Sequence, residues 1–343
     1  MTAPALRVGI VGCGLIGHKR VQALGEASLT ACADVQLDSA QALAQHGTGV
    51  YVTTDWREVV ARNDIDIIIV ATTNDQLAEI TIGALNAGKH ILVEKPAARN
   101  PRELQTVIEA ARLAGTKVRV GFNHRYHPAF QQARRLLKDG LLGDLMFVRA
   151  RYGHGGRLGY EKEWRAQPRL SGGGELLDQG VHLIDLARWF LGDFLSVEGS
   201  AHTYYWKMPV DDNAFILLKT AREQSAFLHA SCTEWKNTFS FEIYGRDAKL
   251  HIEGLGGSYG VERLSYYRML PQMGPPDTTI WEYPGADRSW QAEFSDFVDD
   301  IRLNRETTPG LDDAHAALTI VDAIYKQSGY DFSEAQAKLV TRG

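Results

Sequence analysis

Lys95, Asp178 and His182 are the residues whose types and setting most favour chemistry. Lys95 lies in the step Glu94-Lys95-Pro96 at the end of an apolar segment, and Asp178 precedes His182 by four residues. A secondary alcohol that loses a hydride must also lose its hydroxyl proton. An imidazole accepts a proton near neutral pH, a carboxylate fixes its tautomer, and an ammonium group stabilises negative charge on oxygen. These residues therefore predict a site for alcohol oxidation or for the reverse reduction, and leave open whether His182 or Lys95 is the base.

The segment that carries Asp178 and His182 is predicted to be a largely apolar helix over about residues 175–190. Asp178, His182 and Asp185 lie at positions i, i+4 and i+7 and should share one face. Polar residues on a buried helix need partners or a purpose. An Asp and a His at this spacing also bind metals, but the sequence offers no convincing third ligand, so no metal is predicted. Asp185 could instead cap or salt-bridge within the fold.

A glycine pattern near the N-terminus predicts a dinucleotide site. Gly12, Gly14 and Gly17 follow a short apolar strand and open a helix. Glycines allow a tight turn close to a pyrophosphate, and the helix N-terminus presents N–H groups to it. Asp34 ends the second strand, where an acid accepts the ribose hydroxyls. Its charge would repel a 2′-phosphate, and no Arg or Lys directly follows it, so NAD is predicted rather than NADP.

Residues 1–122 alternate strand and helix patterns, which predicts a doubly wound parallel sheet in an α/β fold. The run at 65–71 is almost entirely β-branched, as expected of a strand covered on both faces. Thr72 and Asn74 follow this strand and suit cofactor contacts, with helix capping by Thr73 or Asn74 as the alternative.

The pattern changes near residue 123, so residues 123–343 are predicted to form a second domain. After two helices come strand-like runs near 199–206, 214–218, 226–231, 239–244 and 249–252, and then two closing helices near 290–302 and 311–326. Strands that follow one another through turns indicate an antiparallel or mixed sheet.

The composition narrows the class of protein. The chain has 343 residues, 44% hydrophobic and 23% charged, with a net charge of −5. Without a block of one charge or a long apolar run, it is expected to bind neither nucleic acid nor membrane. The N-terminus lacks a signal-peptide pattern, and three isolated cysteines suggest a reducing compartment, so the protein is expected to be cytoplasmic.

The glycine turn at 12–17, the Glu94-Lys95-Pro96 step and the segment from Gly173 to Asp185 together resemble the Gfo/Idh/MocA family of oxidoreductases. The resemblance covers essentially the whole chain. It implies a Rossmann domain followed by an α/β domain with a large open, predominantly antiparallel sheet. One face of that sheet would form the substrate pocket and often an oligomer interface, so a homo-dimer or homo-tetramer is expected. It also implies a cis peptide bond before Pro96.

The resemblance assigns roles to individual residues. Lys95, Asp178 and His182 would be catalytic and contact substrate. The cofactor-binding residues would be Gly12, Gly14, Leu15, Ile16, Gly17, Asp34, Thr72, Asn74, Glu94, Lys95 and Asn123. Arg125, Trp164 and Arg165 would contact substrate, with salt bridging or packing as the alternative. After the 65–71 strand the family often has Pro-Asn and a later His, whereas this chain has Thr73-Asn74 and Leu77; cofactor contacts there should differ.

The expected substrate is a small polyhydroxylated molecule. The family resemblance implies a sugar, nucleotide-sugar, inositol or aminocyclitol, and the aromatic residues Trp206, Trp235, Trp281 and Tyr283 would suit sugar C–H groups, core or an interface equally well. Rival interpretations are a non-catalytic NAD-binding sensor, an enzyme that retains NAD and processes glycosides without net redox change, and a reductase of C=C or C=N bonds.

Overall fold

A computed structural model describes residues 5–272 and 274–332 of the chain. These residues form two units, one of residues 5–123 and 290–315 and the other of residues 124–289 and 316–332. The first contains a six-stranded sheet and the second an eight-stranded sheet. The predicted fold class, a doubly wound parallel sheet plus a larger and mainly antiparallel one, is confirmed. Residues 290–315, expected in the second domain, pack with the first unit.

The first unit alternates strands and helices. Its elements are β1 (Arg7–Val11), α1 (Leu15–Gln22), β2 (Ser28–Ala33), α2 (Leu37–Ala44), β3 (Tyr51–Thr53), α3 (Trp56–Val60), β4 (Ile67–Val70), α4 (Asn74–Asn86), β5 (His90–Glu94), α5 (Pro101–Ala114), β6 (Val118–Gly121) and most of α9 (Ser289–Arg302). The strands are all parallel, in the order β3-β2-β1-β4-β5-β6.

This strand order decides where a ligand can bind. All four residues of β4 are fully buried, because helices cover both faces of the sheet. The order reverses between β1 and β4, and open α/β sheets bind ligands at the carboxyl ends of the strands at such a reversal. Gly12 directly follows β1, and Thr72 lies just beyond the end of β4, so both lie at this edge of the sheet.

Arg20 of α1 is a buried charge of this unit, with 1% of its surface exposed. Its Nε donates a hydrogen bond to Glu94 Oε1 at 2.6 Å, and its Nη1 donates to Glu293 Oε2 at 2.6 Å. Gly121 provides the space, since a Cβ there would lie 2.6 Å from Arg20 Nη2. Burial raises the pKa of Glu293 to about 7, although Arg20 opposes the shift. The cluster therefore joins α1, the end of β5 and α9 in one interior.

The second unit is built on the larger sheet. Its elements are α6 (Pro128–Lys138), β7 (Leu145–Gly153), α7 (Pro168–Ser171), a π-helical turn (Leu176–Gly180), α8 (Val181–Leu191), β8 (Phe194–His202), β9 (Asn213–Thr220), β10 (Ser225–Ser231), β11 (Thr238–Gly245), β12 (Ala248–Glu253), β13 (Glu262–Arg268), β14 (Asp277–Tyr283) and most of α10 (Leu311–Gln327). Short 3-10 turns lie at Asn123–Tyr126, Tyr160–Lys162, Trp164–Ala166 and Gly257–Tyr259.

The sheet order is β14-β13-β12-β11-β7-β10-β9-β8, and only the β7–β10 pair is parallel among these strands. Alternate residues of β9 are buried, whereas Phe215 and Leu217 are 39% and 37% exposed. On the neighbouring strand Phe227, paired with Leu217, is 49% exposed. The open face is thus partly apolar, and the oligomeric state expected from it stays a prediction.

The strands predicted from the sequence differ from part of this sheet. The strand expected at 199–206 runs from Phe194 to His202, so Trp206 lies beyond it. The strands β13 and β14 were missed. All but two residues of β14 are exposed, and an edge strand of this kind lacks the apolar alternation that marks a half-buried strand. Among the helices that the structure describes, none has the length and apolarity needed to cross a lipid bilayer.

We expect Arg20→Met to lower the free energy of unfolding by about 3–5 kcal/mol, because it leaves Glu94 and Glu293 buried without their cation. Urea unfolding followed by tryptophan fluorescence measures this loss. Arg305→Met is the matched control, since Arg305 is 45% exposed and pairs with Asp296 and Asp300. Its cost should stay below about 1 kcal/mol. An equal loss of unfolding free energy in the two variants would show that burial does not make the Arg20 ion pairs more important for stability.

Candidate active site

The turn between β1 and α1 is shaped by its glycines. Gly12 has a φ of +94°, and a Cβ there would lie 2.4 Å from the carbonyl oxygen of Ala71. A Cβ on Gly17 would lie 2.3 Å from the carbonyl oxygen of Gly12. Gly14 precedes α1 without a side-chain cap, and a Cβ there would meet nothing within 4 Å. The turn is thus tightly packed at Gly12 and Gly17, whereas at Gly14 it leaves the N-terminus of α1 open to an anion.

Asp34 stands beside this turn at the end of β2. Its Oδ2 accepts a hydrogen bond from the backbone N–H of Cys13 at 2.8 Å, and its Oδ1 accepts one from Gln36 N–H at 2.9 Å. These bonds fix the carboxylate next to the turn while leaving it partly exposed. An open helix N-terminus with a fixed acid beside it fits the pyrophosphate and ribose of a dinucleotide.

In the loop after β4, the helix cap considered for Thr73 is not formed. Thr73 occupies the N-cap position of α4, but it makes no side-chain cap. Its hydroxyl instead donates to Asp75 Oδ1 at 2.6 Å. Asn74 is the first residue of α4 and is 9% exposed. Thr72 lies against the glycine turn, since its backbone nitrogen is 2.8 Å from the Cβ position of Gly12.

Lys95 follows the last residue of β5 and is half-buried. The Lys95–Pro96 peptide bond is cis, as the family resemblance implied. Ala97 has a φ of +70°, and its N–H donates to the carbonyl oxygen of Glu94 at 2.9 Å. The side chain of Glu94 is the one held by Arg20. The backbone on both sides of Lys95 is thus fixed, at the sheet edge that also carries the glycine turn.

In the second unit Asp178 lies in the π-helical turn and not in a regular helix. Such turns are rare and often occur at functional sites. Asp178 Oδ2 accepts a hydrogen bond from Arg165 Nε at 3.0 Å, and this carboxylate raises the pKa of Arg165. Arg165 in turn packs over the ring of Trp164 at 4.7 Å. The structure therefore brings together three of the predicted substrate-contacting residues.

A buried carboxylate holds the segment that leads into this turn. Asp211 is fully buried and accepts hydrogen bonds from the N–H groups of Gly174 at 3.0 Å and Leu176 at 2.7 Å. The Tyr325 hydroxyl donates to it at 2.7 Å. Burial raises the pKa of Asp211 to about 7, although the three donors oppose the shift. Asp211 thereby positions the backbone just before Asp178.

His182 and Asp185 lie in α8 and have partners of different kinds. Asp185 is 1% exposed and accepts two hydrogen bonds from Arg125, at 2.8 Å from Nε and 2.5 Å from Nη2. The alternative of a salt bridge within the fold is confirmed for Asp185. The imidazole of His182 is 4% exposed and stacks on that of His124, with ring centroids 3.9 Å apart.

Sequence reasoning missed several residues around Asp178 and His182. His124 lies within the segment Asn123–Tyr126, whose buried first residue was already predicted to bind the cofactor. Glu175 precedes the π-helical turn and lies 3.5 Å from His154 Nε2, where it outweighs burial and raises the pKa of His154. Their placement depends on tertiary contacts, and only the density of polar residues in these two segments could have indicated them. Among the described residues, no group of His, Cys, Asp or Glu is placed to hold a metal ion.

Comparisons with known proteins agree with this architecture. Residues 6–122 match the model of an oxidoreductase family with an NAD-binding Rossmann fold, and residues 130–251 match that of the GFO/IDH/MocA C-terminal domain. An inositol 2-dehydrogenase of Gluconacetobacter diazotrophicus is 30% identical over 340 residues, which cover 93% of this chain and 92% of that one. A levoglucosan dehydrogenase of Pseudarthrobacter phenanthrenivorans is 33% identical over 172 residues, covering 50% of this chain and 44% of that one.

A solved structure of levoglucosan dehydrogenase in complex with NADH has the same fold, with a TM-score of 0.85 over 98% of both chains at 24% identity. The two sheets, the glycine turn and these matches define an NAD-dependent oxidoreductase. The chain belongs to the Gfo/Idh/MocA family. Within that family it is a dehydrogenase of CH–OH groups.

We expect the protein to turn over NAD faster than NADP, because the fixed Asp34 carboxylate repels a 2′-phosphate. Asp34→Ser should weaken NAD binding by about tenfold and reduce the preference for NAD. Fluorescence titration with each reduced cofactor measures both effects. Asp38→Ser, at an exposed position in the first turn of α2, is the control and should change neither affinity. A wild-type preference for NADP would contradict this role of Asp34.

Proposed function

We propose that this enzyme transfers a hydride between NAD and a ring secondary alcohol or ketone of a sugar, nucleotide-sugar, inositol or aminocyclitol. The observation that carries the proposal is the buried imidazole of His182 in the first turn of α8, a helix that directly follows the π-helical turn carrying Asp178. A buried group that can take up a proton near neutral pH suits the proton transfer that alcohol oxidation requires. The dehydrogenases of inositol, levoglucosan and D-glucosides that the chain resembles supply the substrate class.

His182 would take the proton that leaves the substrate hydroxyl. When bound, NAD supplies the acceptor for the hydride from the same carbon. Oxidation then yields a ketone, NADH and one proton, and reduction reverses each transfer. Asp178, held by Arg165, would keep negative charge near the imidazole and favour its protonated form. Lys95 would donate a hydrogen bond to the substrate oxygen and stabilise negative charge there.

Arg165, Trp164 and Arg125 would have different parts in substrate binding. The side chain of Arg165 is 34% exposed, so it could donate to a substrate hydroxyl while it holds Asp178. Trp164 would offer an apolar surface to sugar C–H groups. Arg125 is 4% exposed and bound to Asp185, so we propose that it contributes mainly by holding its own segment against α8.

The direct test is NADH absorbance after a panel of inositols, aminocyclitols, free sugars and nucleotide-sugars is added to the purified protein with NAD. We expect absorbance to rise with members of one class, because hydride transfer converts NAD to NADH. A buffer blank and a panel member with its ring hydroxyls methylated are the controls. Retained NAD without net NADH across the panel would point instead to a redox-neutral enzyme.

Lys95→Ala and His182→Ala should each lower turnover by about 10²-fold or more, because His182 would accept the hydroxyl proton and Lys95 would stabilise the negative charge left on the oxygen. Steady-state kinetics on the substrate found with the panel measures this, and titration with NADH should show that cofactor affinity is retained. Lys138→Ala, on the exposed end of α6, and His251→Ala, on β12, are the matched controls. Near-normal turnover of either test variant would remove that residue from catalysis.

A further inference from the structure

His124 and His182 form a stacked pair of imidazole rings inside the second unit. Their ring centroids are 3.9 Å apart and their planes differ by 28°. Only 6% of His124 and 4% of His182 is exposed. His124 belongs to the 3-10 turn Asn123–Tyr126 and His182 to α8, so two separate segments of the chain supply the pair.

The tyrosine and phenylalanine rings that face the pair stay neutral. Tyr152 of β7 lies 5.3 Å from His124 and 6.2 Å from His182, measured between ring centroids. Burial raises the pKa of Tyr152 well above its usual value, so its hydroxyl keeps its proton. Tyr259 packs on Tyr152 at 5.5 Å, and burial raises its pKa to about 12. Phe239 lies 6.2 Å from His124 and carries no titratable group.

The ionisable groups around the pair have partners other than the two stacked rings. Beside His124 in sequence, Arg125 is bound to Asp185 of α8. His127, whose ring lies 5.6 Å from that of His124, is 2.9 Å from Glu262 and 4.0 Å from Asp287.

In the π-helical turn before α8, Asp178 accepts a hydrogen bond from Arg165, and Glu175, which precedes that turn, lies 3.5 Å from His154. Arg125, His127, Asp178 and Glu175 thus each have a partner outside the stacked pair.

We propose that His124 is a positioning residue for the reaction, which holds the plane of the His182 ring and limits the stacked pair to one proton at a time. This inference rests on the proposed function, in which His182 accepts the hydroxyl proton. Two like charges this close in a buried site strongly oppose each other, so protonation of one ring disfavours protonation of the other. His182 would then accept the substrate proton only while His124 is neutral.

Titration of both rings by NMR in the full-length protein tests the coupling without any substrate. His124→Phe and His182→Phe each keep a stacked ring but remove one titratable partner. The ring that is protonated second in the wild type should titrate with a pKa about one unit or more higher once its partner is Phe. His124→Gln serves as a second variant if the Phe variant does not fold. If each remaining ring titrates as it does in the wild type, the proposal is overturned.

The pH dependence of kcat/KM for oxidation is the second measurement. In the wild type, protonation of either ring would stop oxidation. In His124→Phe only His182 is left to be protonated, so activity should persist to lower pH, by up to about one unit. kcat should fall about tenfold in His124→Ala, which loses the packing surface, and fall less in His124→Phe. KM for NAD should not move. Phe239→Leu is the packing control and should lower stability without shifting the pH profile.

Failure of this inference can be separated from failure of the proposed function. An active His182→Ala variant would overturn both His182 as the base and the role of His124. An inactive His182→Ala variant together with uncoupled ring titrations would overturn the role of His124 alone. The proposal would be supported if the two ring titrations are coupled, His182→Ala is inactive, and His124→Phe loses activity at a lower pH than the wild type.

Discussion

A guanidinium buried in an apolar interior must have carboxylates beside it, and this requirement organises the NAD-binding unit. Arg20 meets it through Glu94 and Glu293, so α1, the end of β5 and α9 share one buried set of charges. The helix α1 begins at the glycine turn, and Glu94 directly precedes Lys95. The same ion pairs therefore hold both α1, which begins at the glycine turn, and the residue next to the predicted catalytic lysine.

The second unit uses a buried carboxylate for a comparable purpose. Asp211 is fully buried and is kept in place by N–H groups of the segment entering the π-helical turn and by Tyr325. Burial of an acid costs free energy unless donors compensate, which explains why three donors converge on one side chain. In each unit a costly buried charge thus stabilises the backbone next to a residue with a proposed chemical role, Lys95 in one and Asp178 in the other.

The features that define the class of enzyme differ from the residues proposed to determine its substrate. The strand order and glycine turn suit dinucleotide binding in general, whereas the curated relatives are named as dehydrogenases of inositol, levoglucosan and D-glucosides. The residues proposed to choose the substrate, Trp164 and Arg165, lie in a short 3-10 turn and not in the sheet. Such loops can change while the anchored elements remain.

The sequence by itself determined the parallel sheet, the glycine turn, Asp34 at the end of β2 and the helices α6 and α9 to within a residue or two. These features follow from local periodicity and from the turn chemistry of glycine. Only the tertiary structure decided that Arg20 meets Glu293, that Asp211 holds the turn before Asp178, and that His124 stacks on His182. It also placed residues 290–315 with the first unit and made the start of the predicted 175–190 helix a π-helical turn. Each of these depends on pairing buried polar groups that are distant in sequence, which local pattern cannot reveal.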